Sequence, residues 1–226
     1  MNILNAEHIS KSYGVKELFS DVTFGISSGD KVGLIGVNGT GKSTLLKIIA
    51  GLAEPDEGQI ITGRDVTLSY LPQMPEFPDD RTVLDAVMHG RTPGTDQEAE
   101  ARAMLNRLGI TGHDVPLDHL SGGQKKRIAL ARTLLSPAQV LILDEPTNHL
   151  DQEMILWLED YLTKFKGELL LVTHDRYFLD HVTNKTAELD RNGFYVYDGG
   201  YELYLERRAE RNENEQNAQT KRENLM

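Results

Sequence analysis

Residues 36–43 read Gly36-Val37-Asn38-Gly39-Thr40-Gly41-Lys42-Ser43 and match G-x-x-x-x-G-K-[S/T] at each fixed position. Glycines at these spacings let the backbone curl so that successive N–H groups point inward at phosphate oxygens. A helix opening at Lys42 adds the partial positive charge of its N-terminus. Lys42 can neutralise β- and γ-phosphates, and the Ser43 hydroxyl can ligate Mg²⁺. A matching acid, Asp144, ends an apolar run and is followed directly by Glu145 and Pro146. Asp144 at the carboxyl end of a buried strand can hold the Mg²⁺ shared with Ser43, and Glu145 can polarise an attacking water. His174 closes the next apolar run, at the same sheet edge, where it can reach a γ-phosphate. Gln73 follows another strand end and can sense Mg²⁺ or the attacking water.

These residues need a frame of strands and helices. Short apolar runs alternate with helical stretches, the pattern of an α/β domain with a largely parallel sheet. Strands are expected at 3–9, 21–26, 31–35, 59–61, 66–71, 139–143 and 169–173. A closing pair at 186–190 and 194–197 reads as a hairpin across Arg191-Asn192-Gly193. Helices are expected at 42–52, 83–89, 97–108, 123–135, 153–165 and 177–182. The stretch from Pro72 to about Pro116 starts Pro-rich and continues purely helical, so a helical subdomain (about 74–135) is expected as an insert in the core. From Tyr201 the composition turns charged with almost no apolar face. It is either a solvated terminal helix or the start of a longer one.

The 226 residues correspond to one large domain, or one core with an appendage. With 39% hydrophobic residues the chain can bury a core and is too apolar for a disordered one. No apolar run approaches the roughly 18 residues of a membrane span, and MNILNAEHIS lacks a secretory pattern. Zero cysteines exclude disulfide and thiolate chemistry and fit a reducing compartment. A net charge of −11 argues against a general nucleic-acid binder.

Leu120-Ser121-Gly122-Gly123-Gln124 opens another helix and is a second anion cradle. Lys42 already faces the one γ-phosphate of a bound nucleotide. The cradle therefore either caps its own helix or serves a nucleotide on another subunit or domain. LSGGQ together with the phosphate loop, Gln73, Asp144-Glu145 and His174, in that order, resembles the ATP-binding cassette (ABC) ATPases over residues 1 to about 200. The resemblance implies an α/β P-loop cassette with a mostly parallel core sheet, an N-terminal antiparallel β portion and the inserted helical subdomain. It implies ATP and Mg²⁺ as ligands, with Gln73 joining Ser43 and Asp144 at the metal. Nucleotide contacts are implied for Tyr13 (stacking on adenine), Gly36, Asn38, Gly39, Gly41, Lys42, Ser43 and Thr44. Two cassettes would close head-to-tail, with Ser121, Gly122, Gly123 and Gln124 of one serving the nucleotide of the other. Asp151 would couple the two sites.

Residues 144–151, DEPTNHLD, and 173–180, THDRYFLD, resemble the ABC-F class, whose members carry two cassettes on one chain and act in translation at the ribosome. Residues 200–205 leading into a charged helix resemble the start of the linker between those cassettes. The resemblance thus implies a cytoplasmic ABC-F ATPase in its N-terminal half: a cassette at 1–200 and the root of a linker at 201–226. The implied partners are a second cassette and the ribosome with its tRNA. The short span between Gln73 and Leu120 implies that the additional arm of some members is absent or very short. The alternative is a nucleotide-binding subunit of an ABC membrane transporter.

Overall fold

A computed structural model of the chain describes residues 2–190 and 193–223. Its centre is a six-stranded sheet of β3 (Lys31–Ile35), β5 (Leu68–Leu71), β6 (Val140–Asp144), β7 (Glu168–Val172), β8 (Lys185–Asp190) and β9 (Gly193–Asp198). The strand order is β5-β6-β7-β3-β8-β9; all neighbours are parallel except the antiparallel pair β8–β9. The Arg191-Asn192 part of the expected hairpin turn lies outside the described residues, while Asp190 and Gly193 are register partners across it. A second, antiparallel sheet is built from β1 (Asn2–Tyr13), β2 (Lys16–Ser27) and β4 (Glu57–Thr62) in the order β2-β1-β4.

Strands β6 and β7 are buried throughout, which is why they read as unbroken apolar runs. Alternation divides their side chains between two cores. Val140, Ile142, Leu170 and Val172 join the three-stranded sheet and helix α1 (Lys42–Ile49) in one core. Leu141, Leu143, Leu169 and Leu171 face the other, with helices α2 (Val83–Met88), α3 (Asp96–Arg107), α4 (Gly122–Leu134), α5 (Gln152–Lys164) and α6 (Arg176–Val182). Helices α2–α4 all fall between β5 and β6 in the chain, and α2 and α4 begin with capping boxes, Thr82/Asp85 and Ser121/Gln124.

The N-terminal strand pair extends furthest beyond expectation. β1 runs to Tyr13 rather than residue 9, and β2 begins at Lys16 rather than 21. The pair is interrupted by a bulge where His8 and Asp21 both take positive φ and His8 Nδ1 lies 2.6 Å from Asp21 Oδ1. The pairing resumes beyond it with Ile9 opposite Val22, Lys11 opposite Phe19, Ser12 opposite Glu17 and Tyr13 opposite Lys16, a stretch of mixed residues without regular apolar alternation.

Helix α7 (Tyr201–Glu223) follows β9 and is fastened at its root. Glu188 of β8, 3% exposed, accepts a hydrogen bond from the Tyr204 hydroxyl at 2.9 Å. The same carboxylate pairs with Arg208 at 3.0 Å and Arg211 at 3.1 Å. Arg211 also stacks 3.8 Å from the Tyr195 ring centroid. Asp180 of α6 receives the Glu202 N–H at 3.0 Å, and Arg176 lies over the Tyr201 ring. A segment with almost no apolar face is thus held by tyrosines, arginines and one buried carboxylate.

Candidate active site

The phosphate loop leaves β3 at Ile35 and enters α1 at Lys42. Gly41 is the N-cap of α1, left-handed at φ 95°, and makes no side-chain cap. The first N–H groups of the helix therefore remain for an anion. A Cβ on Gly41 would lie 3.0 Å from Leu18 Cβ and the Phe19 ring, and one on Gly36 only 2.3 Å from the Leu189 carbonyl oxygen. Strands β2 and β8 close on the loop from either side, so only glycine passes. Lys42 Nζ donates to the Gly36 carbonyl at 2.8 Å and the Val37 carbonyl at 3.2 Å. Burial lowers its pKa, while Glu145 and Asp144 oppose that shift.

Asp144 ends β6 and is 1% exposed. Neither of its carboxylate oxygens has a hydrogen-bond partner, although the Ser43 and Tyr70 hydroxyls stand close enough to influence its charge. Burial pushes its pKa up, with Ser43, Lys126, Lys47 and Lys42 countering. Glu145, 4% exposed, takes a left-handed backbone at φ 53°. That conformation disfavours a non-glycine residue by about 1 kcal/mol or more. Its N–H donates to the Val172 carbonyl at 2.8 Å, fixing the turn between β6 and the end of β7. His174 Nε2 lies 3.3 Å from Glu145 Oε1, and Glu145 Oε2 is buried without a partner. Burial raises the Glu145 pKa, and the His174 charge pulls it back. The Thr147 and Thr173 hydroxyls meet at 2.9 Å and tie together the segments after β6 and β7.

These residues line one cleft of about 470 Å³. It brings together Tyr13, Asn38, Gly39, Gly41, Lys42, Ser43, Thr44, Gln73, Asp144, Glu145 and His174. Tyr13 is 59% exposed, an open ring at the edge. Gly36 lies on the far side of the loop, in a cavity of about 230 Å³ shared with Lys42, His174 and the α7 residues Tyr201 and Tyr204. Ser121, Gly122, Gly123 and Gln124 do not line the cleft. The Ser121 hydroxyl accepts the Gln124 N–H at 3.2 Å, and Gln124 Oε1 accepts the Ser121 N–H at 2.9 Å. Asp151 is the N-cap of α5, accepting the Met154 N–H at 2.9 Å.

Sequence reading missed Lys16, Leu18 and Val172 in the cleft wall, and Lys126 and Tyr70 behind Asp144. Lys126 stands three and four residues before buried Ala129 and Leu130, on the inward face of α4. Period alone does not single it out, since Lys125 stands equally three and four residues before buried Ile128 and Ala129.

Three buried carboxylate oxygens that make no hydrogen bond, beside the Ser43 hydroxyl and a helix start without a side-chain cap, form an arrangement that a divalent cation and a polyphosphate would complete. The residues present fit Mg²⁺ with ATP. The sequence profile of the ABC transporter family matches residues 19–148. The chain belongs to the ABC transporter ATP-binding cassette family. Cassettes of this family bind and hydrolyse ATP, and this cassette is an ATPase with the α/β P-loop fold.

The cassette is 44% identical over its whole length to the "Uncharacterized ABC transporter ATP-binding protein YfmR" of Bacillus subtilis, covering 42% of that protein. It is 36% identical over 92% of its length to the "Energy-dependent translational throttle protein EttA" of Mycobacterium tuberculosis, covering 44% of it. The cassette thus spans less than half of these curated relatives. Among solved structures it superposes with a TM-score of 0.68 on a putative metal-chelate type ABC transporter in an inward-facing conformation. That match is 28% identical and covers 87% of the cassette and 83% of the solved chain.

Proposed function

We propose that the cassette is the N-terminal ATPase unit of an ABC-F protein that works on the ribosome in translation, in the cytoplasm. The reaction reading rests on one observation above all: the buried Glu145 carboxylate, 3.3 Å from His174, stands beside Asp144 at the wall of the cleft that Lys42 also lines. Glu145 is the general base that takes the proton from the attacking water, and His174 orients that carboxylate and reaches the γ-phosphate. Lys42 and the loop amides hold the β- and γ-phosphates. Ser43, Asp144 and Gln73 hold Mg²⁺, which supplies charge neutralisation on the phosphate oxygens when bound. Tyr13 offers its open ring to the adenine.

Ser121, Gly122, Gly123 and Gln124 lie away from the cassette's own cleft, which supports their service to a nucleotide on a second cassette closing head-to-tail. Asp151, at the start of α5, then couples the two sites. In the domain plan, residues 1–200 form the cassette, with a helical subdomain at about 74–135, and residues 201–226 begin a charged linker. The DEPTNHLD and THDRYFLD segments and the kinship with a translational throttle protein support the ABC-F reading.

A second reading, a nucleotide-binding subunit of a membrane transporter, draws on the 28% identity to a putative metal-chelate transporter. Among the described residues no helix is long and apolar enough to cross a membrane. Co-sedimentation of the full-length protein with ribosomes in a nonhydrolysable ATP analogue separates the two. Analogue-dependent pelleting supports the translation role. Pelleting that ignores nucleotide, or none at all, overturns it.

A further inference from the structure

Lys126 is 3% exposed on the inward face of α4. Its Nζ donates to two main-chain carbonyls, Pro72 at 2.6 Å and Asp144 at 2.6 Å. Pro72 immediately follows β5 and precedes Gln73; Asp144 is the last residue of β6. β5 and β6 are parallel neighbours with Leu71 opposite Leu143, so one ammonium bridges the two adjacent strand ends. Both ends carry residues assigned above to Mg²⁺. Lys126 itself does not line the cleft.

Placing a charge here is unfavourable. Burial draws the lysine pKa down to about 8, against the pull of Asp144 and Glu145. The neighbouring inward positions of α4 are filled by Ile128, Ala129, Leu130 and Ala131, so an apolar residue at 126 would pack in ordinary fashion. Packing alone does not account for an ammonium, since buried charges seldom add net stability. What distinguishes it is the pair of carbonyls it holds, and the helix it holds them from. That helix begins, little more than a turn earlier, with Ser121-Gly122-Gly123.

We propose that Lys126 is a positioning residue for ATP hydrolysis: by gripping the Pro72 and Asp144 carbonyls it sets Gln73 and the Asp144 carboxylate for Mg²⁺ and ties both to the Ser121-Gly122-Gly123 cradle. This inference rests on the site assignment under Proposed function and adds a residue outside it.

The test is equilibrium binding of a nonhydrolysable ATP analogue to the 226-residue chain, in EDTA and across a Mg²⁺ titration, with thermal unfolding of each variant. Lys126→Met and Lys126→Gln should keep metal-free affinity within about twofold while the Mg²⁺ half-saturation rises about 10-fold or more, as for outer partners of metal ligands elsewhere. Lys126→Arg, which retains charge and donors, should recover most of that loss. If Lys126→Met does not fold, the Gln and Arg variants carry the comparison. The proposal is overturned if the Gln variant keeps the parent Mg²⁺ dependence. It is equally overturned if metal-free and Mg²⁺-dependent binding fall together in step with melting temperature, the behaviour of a simple packing residue. The parent chain tests the underlying reading separately: no Mg²⁺ effect there would remove the Ser43 and Asp144 assignment itself.

Discussion

Ile35 and Glu188 are register partners across the parallel β3–β8 pair. One is the last strand residue before the phosphate loop; the other is the buried carboxylate that holds Tyr204, Arg208 and Arg211 of α7. The root of α7 is therefore one strand away from the nucleotide cleft. Its second mount, Asp180 and Arg176, lies on the helix that follows His174.

Glu188→Ala should loosen that root. The variant leaves a buried phenol without its acceptor and removes the carboxylate that pairs with Arg208 and Arg211. A loss of about 2–3 kcal/mol in unfolding free energy is expected from hydrogen bonds to a charged group. Tyr204→Phe, which removes one bond, should lose only about 1 kcal/mol. Hydrogen exchange of the first turns of α7 should speed up in both. Unchanged protection in Glu188→Ala would show that the helix is held by something else.

Glu145→Gln should bind ATP like the parent and turn it over about 10²–10⁴-fold more slowly, because the shape is kept and the base is lost. Binding by fluorescent-nucleotide titration and phosphate release on the same preparation check both halves. Parent-rate hydrolysis would show that another group takes the proton.

Asp144→Asn should separate function from stability. Metal-free nucleotide binding persists, but the Mg²⁺-dependent part is lost. Because burial raises the pKa of this carboxylate more than Ser43 and the nearby lysines lower it, the metal-free variant should melt higher than the parent. For a chain of this size each kcal/mol relieved raises the midpoint by about 2–4 °C. A raised pKa means the folded state takes up its proton first as pH falls, so the penalty on the parent shrinks and the gap narrows with acidification. A variant that melts below the parent at neutral pH would contradict this account.

Turnover by this chain alone should depend on its concentration. If Ser121-Gly122-Gly123 serve a neighbour's nucleotide, rate per molecule falls on dilution as pairs separate. Specific activity measured alongside sedimentation reads this directly. A constant, rapid rate from a demonstrated monomer would mean each cleft is complete by itself.

The site was legible in the sequence where chemistry is confined to a few adjacent residues. The glycine spacing of 36–43 and the acid pair closing β6 needed no tertiary information. β6 and β7 were equally plain, because a strand buried on both faces is apolar at each position. Lys126 was hidden because a lysine beside Lys125 in a charged helix start reads as solvent-facing, and only packing selects which of the two turns inward. The ends of β1 and β2 were hidden by the His8/Asp21 bulge, which breaks the alternation that marks a strand. The α7 root was hidden because cation–aromatic stacking and a distant buried glutamate hold it, and neither has a local period.

The Ser121/Gln124 capping box has a further consequence. With the Ser121 and Gln124 amides paired within the chain, the start of α4 is capped whether or not anything docks against it, while the serine proton and the Gly122 and Gly123 backbones stay presentable. Such a surface makes association reversible by construction: the chain can meet and leave a partner many times without either event being a folding event.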